Sequence, residues 1–268
     1  MEQYIRRLAN HQDNDSVTAK DIALIGEEPL SVRIQGKPYS VVMRTPGDEI
    51  AHVAGFCLGE GIVDVPENIV SIAFCDGADT NVVTVTLDAS RKEKIAELAD
   101  RRNYISQTGC GLCGKEMVKE LYQILSPLPD SPGITIQQAV ALMDLLSEHQ
   151  PLRRQTHATH GAALCGLNGE ILASAEDVGR HNALDKVVGK LFLTHQLGKS
   201  SILLLSSRIS YELVQKAARA RIPIILAVSR PTALAVELAS ELNMTIACLA
   251  RGGGMFVFCG EKRLKGEL

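Results

Sequence analysis

Apolar and polar residues change period several times along this chain, and the changes mark out its elements. Residues 21–25, 30–34 and 39–44 are short β-like runs separated by Gly26-Glu-Glu-Pro29 and Gln35-Gly-Lys-Pro38, so an antiparallel meander is expected. Pro46-Gly47-Asp48 then opens a helix in which Ile50, Val53, Ala54 and Leu58 recur at helical spacing before Gly59 and Gly61 end it. Residues 70–74 and 82–87 read as two more strands, and 91–102 as a charged amphipathic helix with Ile95, Leu98 and Ala99 facing inward. The first 20 residues carry no apolar period and are expected to form a loose arm.

A glycine-rich cysteine loop follows, then an expected helix over 115–125, the breaker Ser126-Pro-Leu-Pro-Asp-Ser-Pro-Gly133, and a helix starting at Thr135 or Ile136. Residues 162–166 and 170–174 flank Leu167-Asn168-Gly169, a hairpin signal, and 179–195 form a long helix. Segments 201–205, 211–220, 223–228, 233–242 and 244–249 then alternate β-α-β-α-β. Their strands are continuous apolar runs suited to burial between helix layers, and a last strand over 255–259 closes the chain. The expectation is an α/β protein in two parts: a flexible arm (1–20), a smaller α+β N-terminal domain (21–106), a cysteine loop with linker helix (107–134), and an α/β C-terminal domain (135–268).

With 46% hydrophobic and 22% charged residues the chain has ample material for a packed core, and without tryptophan aliphatic side chains must fill it. A net charge of -3 argues against a chain built mainly to coat nucleic acid. No apolar run approaches the roughly 20 residues that span a bilayer, and Arg6 and Arg7 have no apolar stretch behind them, so a cytoplasmic, membrane-free protein is expected. Seven cysteines, an odd count, fit reduced thiols. Cys57, Cys75, Cys165, Cys248 and Cys259 sit in apolar runs and read as buried hydrophobes.

The other two lie in Thr108-Gly109-Cys110-Gly111-Leu112-Cys113-Gly114. Such a pair serves as a metal site, a redox dithiol, or a nucleophilic thiol with a helper. The three glycines strip side chains from around both sulfurs and favour delivery over a tight metal knuckle. Cys113 precedes a helix and Lys115, conditions that lower a thiol pKa, and Cys110 lies one turn further out. A zinc pair completed by His157 and His160 is the competing structural reading.

In an open parallel sheet ligands gather beyond the carboxyl ends of the strands. The loops expected there are Ser206-Ser207-Arg208-Ile209-Ser210, Ser229-Arg230-Pro231-Thr232 and Arg251-Gly252-Gly253-Gly254, which together suit phosphate groups, with Arg208 and Arg251 as the leading cations. Glu176-Asp177-Val178-Gly179-Arg180-His181-Asn182 crowds polar residues at a helix start and reads as a ligand-facing helix end, with Asp185 four residues beyond His181 as the group expected to tune it.

The cysteine loop, residues 176–189, 206–212 and 231–237 resemble, in that order, the formate dehydrogenase accessory sulfurtransferases, the FdhD sulfur carrier family. The resemblance implies a sulfurtransferase that accepts sulfur from a cysteine desulfurase, holds it as a persulfide on Cys110 with Cys113 assisting, and passes it to the bis(molybdopterin guanine dinucleotide) molybdenum cofactor for formate dehydrogenase. It also implies a homodimer, a cytidine deaminase-like three-layer α/β/α C-terminal domain, and a cofactor-binding stretch at Leu249, Ala250, Arg251, Gly252, Gly253 and Gly254. Arg208, Ser210, Arg180 and His181 complete the expected cofactor site, for which guanine nucleotides would be partial mimics. The deaminase zinc motif is missing, so likeness of fold carries no deamination. The rival readings are a zinc-stabilised cofactor chaperone or nucleotide-binding module without sulfur transfer, and a nucleotide-binding oxidoreductase using the dithiol.

Overall fold

The computed structural model describes residues 2–14, 16–76, 79–92 and 125–266. Strands β1 (Tyr4–Gln12) and β2 (Val17–Ile25) form an antiparallel ribbon running from the Tyr4–Ile25 pair to Gln12–Val17. The loose arm expected over the first 20 residues is therefore regular β-structure. No apolar period announced it because both faces stay largely in water, with Ala23 the buried position, and the backbone ladder alone defines the strands.

Strands β3 (Glu28–Ile34) and β4 (Lys37–Arg44) form the second expected hairpin. The meander stops there, because β3 takes β6 as its other neighbour and not β2. Helix α1 (Glu49–Gly59), β5 (Ile69–Asp76) and β6 (Asp79–Leu87) follow, and the sheet runs β4-β3-β6-β5 with β3 and β6 parallel. Alternation explains the choice. Leu30, Val32 and Ile34 on one strand and Val83, Val85 and Leu87 on the other make one apolar face, fully buried in the core cluster that includes Val53, Ala54 and Leu58 of α1.

The second half comprises β7 (Ile134–Thr135), α2 (Ile136–Glu148), α3 (Pro151–Thr156), β8 (His160–Cys165), β9 (Ile171–Asp177), α4 (Arg180–Leu193), β10 (Ile202–Leu205), α5 (Tyr211–Arg219), β11 (Ile224–Ala227), α6 (Ala233–Glu241), β12 (Thr245–Leu249) and β13 (Met255–Cys259). A short β14 (Leu264–Lys265) pairs with β7, so β13 is not the last strand. Thr135 caps α2 reciprocally with Gln138, as expected for a start at that point.

The main sheet runs β13-β12-β11-β10-β8-β9, with β10, β11 and β12 parallel. Its central strands are buried on both faces. Leu203, Leu205, Ile225 and Ala227 share a cluster with Leu184, Val187, Leu213, Val214 and Leu238 from α4, α5 and α6, whereas Ile202, Leu204, Ile224 and Leu226 pack with Ala139, Leu142, Met143 and Leu146 of α2. Helices thus cover the sheet on both sides, which is why its strands read as unbroken apolar runs.

Helix α1 packs on α4 at very short range. A Cβ on Gly55 would stand 1.9 Å from the carbonyl oxygen of Asp185, and one on Gly189 1.7 Å from that of Ala51, so glycine alone fits at both positions. This contact joins the N-terminal sheet and the main sheet through one continuous core. Cys57, Cys165, Cys248 and Cys259 are buried as expected, but Cys75 is exposed, because it follows the inward Phe74 on edge strand β5 and points to the outer face.

Candidate functional site

Strand directions bring many of the polar loops to one edge. Because β8 runs antiparallel to both β9 and β10, strands β9, β10, β11 and β12 end together, and β8 and β13 begin there. Ser206 ties the edge together: its N–H donates to the Gly161 carbonyl at 3.0 Å and its Oγ accepts from Gly161 N–H at 2.8 Å. Cys110 and Cys113 lie outside the described residues, as do the helix expected over 115–125 except its last residue and most of the one over 91–102.

The polar run at the start of α4 divides by direction. Glu176 accepts from the N–H groups of Leu152 and Arg153 at 2.7 and 2.8 Å and from Thr159 Oγ1 at 2.8 Å, so it holds the start of α3. Asp177, fully buried, accepts from Thr45 N–H (3.0 Å), Gly179 N–H (2.8 Å), Asn182 Nδ2 (2.9 Å) and Lys186 Nζ (2.8 Å). Thr45 Oγ1 in turn accepts from Val178 N–H, and Asn182 also donates to the Met43 carbonyl. Glu176, Asp177, Asn182 and Lys186 are therefore internal scaffolding, tying the turn before α4 to the N-terminal half. Arg180 and His181 are the two side chains of this run that the scaffold leaves for a ligand.

His181 Nε2 lies 2.8 Å from Glu212 Oε2 and 3.2 Å from Ser210 Oγ. The expected tuning by Asp185 does not occur. Asp185 is buried and pairs instead with Lys216 Nζ at 2.8 Å through both oxygens, and burial pushes its pKa up to about 6 despite that ammonium. Four-residue spacing put Asp185 on the right helix, but the neighbouring helix α5 supplies the closer carboxylate. Burial lowers the His181 pKa from the ordinary histidine value; Glu212 opposes this, and Arg180 and Lys216 add to it. His160, half-buried at the start of β8, is lowered by burial and then by Arg180 and Arg153, against Asp177. The edge therefore keeps two neutral histidines beside guanidinium groups, a setting that favours an anionic ligand.

Ser210 is the N-cap of α5, and its hydroxyl faces His181 and not the helix backbone. Arg208 is exposed; its carbonyl accepts from Ser207 Oγ at 3.0 Å, and its guanidinium makes no hydrogen bond or ion pair among the described residues. Thr232, read from sequence as part of an anion loop, caps α6 by accepting from Ala235 N–H at 3.3 Å. Leu249 ends β12, and Ala250, Arg251, Gly252, Gly253 and Gly254 form the hairpin that leads to β13, closed by Ala250 N–H to the Gly254 carbonyl at 3.0 Å and Gly253 N–H to the Ala250 carbonyl at 3.2 Å. The three glycines have φ of 91°, 110° and 76°, conformations that strain other residues, although nothing would crowd a Cβ at any of them. This hairpin stands about 10 Å along the edge from the end of β10, two strand spacings away. Beside it, on the α2 face, a depression of about 550 Å³ is lined by Ile136, Gln137, Val140, Ala141, Asp144 and Gly254.

Sequence reasoning thus located the edge and most of its residues, and the structure joins His181 with Ser210 directly. It gave no role to Glu212, although that residue ends the family-like segment 206–212 and sits in the first turn of a helix, nor to Thr45, which lies 132 residues from Asp177 in the chain. It also missed the pairing of Arg230 with Phe256, whose guanidinium stands 5.4 Å over the ring.

Helices on both faces of a mostly parallel sheet make this an α/β protein, a class in which ligands commonly gather beyond the carboxyl ends of the parallel strands. The sequence profile of the FdhD/NarQ family matches residues 25–265, and the chain belongs to that family. It is 38% identical over 259 residues to the sulfur carrier protein FdhD of Streptomyces coelicolor, covering 93% of this chain and 91% of the relative. The sulfur carrier protein FdhD of Mycobacterium tuberculosis is 36% identical over 270 residues, covering 96% and 97%. Among solved structures, that of a candidate formate dehydrogenase accessory protein from Desulfotalea psychrophila superposes with a TM-score of 0.78 at 25% identity, over 98% of this chain and all of that one.

Proposed function

We propose that this chain is a sulfur carrier for formate dehydrogenase maturation. The Cys110 thiolate takes the sulfane sulfur of a cysteine desulfurase persulfide, the desulfurase cysteine leaving as its thiolate, and Cys113 assists the onward transfer. The acceptor substrate is the bis(molybdopterin guanine dinucleotide) molybdenum cofactor, held at the strand edge by Arg180, His181, Arg208, Ser210 and the hairpin from Leu249 to Gly254. The reading places the protein in the cytoplasm as a homodimer, with residues 135–268 cytidine deaminase-like; the layering of helices on both sheet faces agrees with this.

The observation that carries the reading is the convergence, in a member of the FdhD/NarQ family, of neutral histidines and free guanidinium groups on the edge where α/β sheets bind ligands. The diphosphates of the cofactor are the chemistry such an edge recognises. The test is intact-mass measurement after incubation with a desulfurase and cysteine. The wild type gains the mass of sulfur and Cys110→Ala does not; a wild type that gains none refutes the proposal.

A further inference from the structure

We infer that Glu212 is a positioning residue for the strand edge: it fixes the His181 ring with its proton on Nε2, so that Nδ1 meets the ligand as an acceptor for a hydroxyl or N–H group and not as a cation for a phosphate. The inference rests on the ligand site proposed above and leaves the anionic groups of the ligand to the guanidinium side chains.

One ring nitrogen collects both contacts. Nε2 lies 2.8 Å from Glu212 Oε2 and 3.2 Å from Ser210 Oγ, whereas Nδ1 makes no hydrogen bond among the described residues. A carboxylate accepts and does not donate, so Nε2 carries the proton and a neutral ring keeps its lone pair on Nδ1. Ser210 supports the arrangement. As N-cap of α5 its hydroxyl would ordinarily accept from the helix backbone, yet it makes no such bond and faces the ring.

A second rung anchors the two helices to each other. Four residues beyond His181 on α4 and four beyond Glu212 on α5, Asp185 and Lys216 meet at 2.8 Å through both carboxylate oxygens, with side chains 4% and 10% exposed. Glu212 itself is 63% exposed, so its contact with the ring is not a by-product of core packing. The charged groups facing the ring are Glu212 and Lys216 from α5, Arg180 from α4 and Glu60 at the end of α1. Burial, the largest influence, lowers the His181 pKa together with Arg180 and Lys216, and the two carboxylates oppose them.

The experiment is NMR of the full chain with histidine labelled on its ring nitrogens, through pH and ligand titrations; the signal missing from His181→Gln identifies the ring. Above its pKa the wild-type ring should carry its proton on Nε2. Glu212→Gln should lower the His181 pKa, let the Nδ1–H tautomer appear and weaken GDP binding, measured by calorimetry, about 2- to 10-fold. Glu212→Asp should move all three back toward the wild type. A purely structural role for Glu212 would change the melting temperature and leave the ring titration where it was. GDP, which has hydroxyl and N–H donors, should shift the Nδ1 signal, and sulfate, an anion without a donor, should not. A neutral wild-type ring protonated on Nδ1, an unmoved titration in Glu212→Gln, or equal Nδ1 responses to GDP and sulfate overturns the inference. Any of these in a chain that loads sulfur on Cys110 leaves the carrier role standing; the fixed tautomer in a chain that never loads sulfur does the reverse.

Discussion

Replacing Asp177 by asparagine removes the negative charge facing the Lys186 ammonium, where neither side chain reaches water. Asp177 is 0% and Lys186 1% exposed, their charged atoms 2.8 Å apart, and among the described residues the ammonium donates its other hydrogen bond to the Thr45 carbonyl at 2.7 Å. Two of the four donors converging on the carboxylate are backbone N–H groups, of Thr45 and Gly179, so an asparagine amide would turn a donor toward a donor at one of its ends. Breaking one partner of a buried ion pair costs about 3–5 kcal/mol, a large share of a typical total stability of roughly 5–15 kcal/mol. Adding Lys186→Met takes away the stranded charge, so the double variant should lose clearly less than the two single losses summed, with a coupling of about 2 kcal/mol or more. Urea unfolding followed by circular dichroism on wild type, both single variants and the double variant measures this. A loss under about 1 kcal/mol for Asp177→Asn, or simple additivity, refutes the view of Asp177 as the clamp between the two halves.

His52 is buried between charged neighbours, its ring nitrogens make no well-formed hydrogen bond, and burial, followed by Lys186, Lys216 and Arg44, pushes its pKa well below the ordinary value against a small opposing pull from Asn182. Below about pH 6.5 the unfolded chain therefore binds a proton there that the folded chain refuses, and stability falls with pH by about 1.4 kcal/mol per unit from this site. His52→Leu should flatten the pH dependence by that amount while His160 and His181 keep their smaller contributions; identical slopes in wild type and variant would count against it. Gly189→Ala drives a methyl into the Ala51 carbonyl across the α1–α4 contact, so a loss of about 3 kcal/mol or more is expected. Gly198→Ala, with open space around it, is the matched control, and equal melting temperatures for the two would contradict the packing argument.

The second half of the fold was legible because its signals are local. Strands buried on both faces appear as apolar runs, helices as a 3.6-residue period, and the connections as Gly, Pro and Asn clusters. The ribbon of β1 and β2 was invisible for the same reason, since a ladder exposed on both faces leaves no mark on side-chain polarity. The place of β3 beside β6 was equally hidden, because strand order depends on which apolar faces meet over α1 and not on which runs are adjacent in the chain.

Chain order and residue type alone determined the alternating strands and helices from 160 to 259, the family motifs and the set of polar residues expected at the strand edge. Only the folded arrangement decided their roles: that Glu176, Asp177, Asn182 and Lys186 look inward, that His181 answers to Glu212 and not Asp185, and that Arg230 meets Phe256. The physical reason is that charge pairing and burial depend on distance and solvent access in space. Thr45 and Asp177, 132 residues apart in the chain, share a hydrogen bond, whereas His181 and Asp185, four apart, serve different partners.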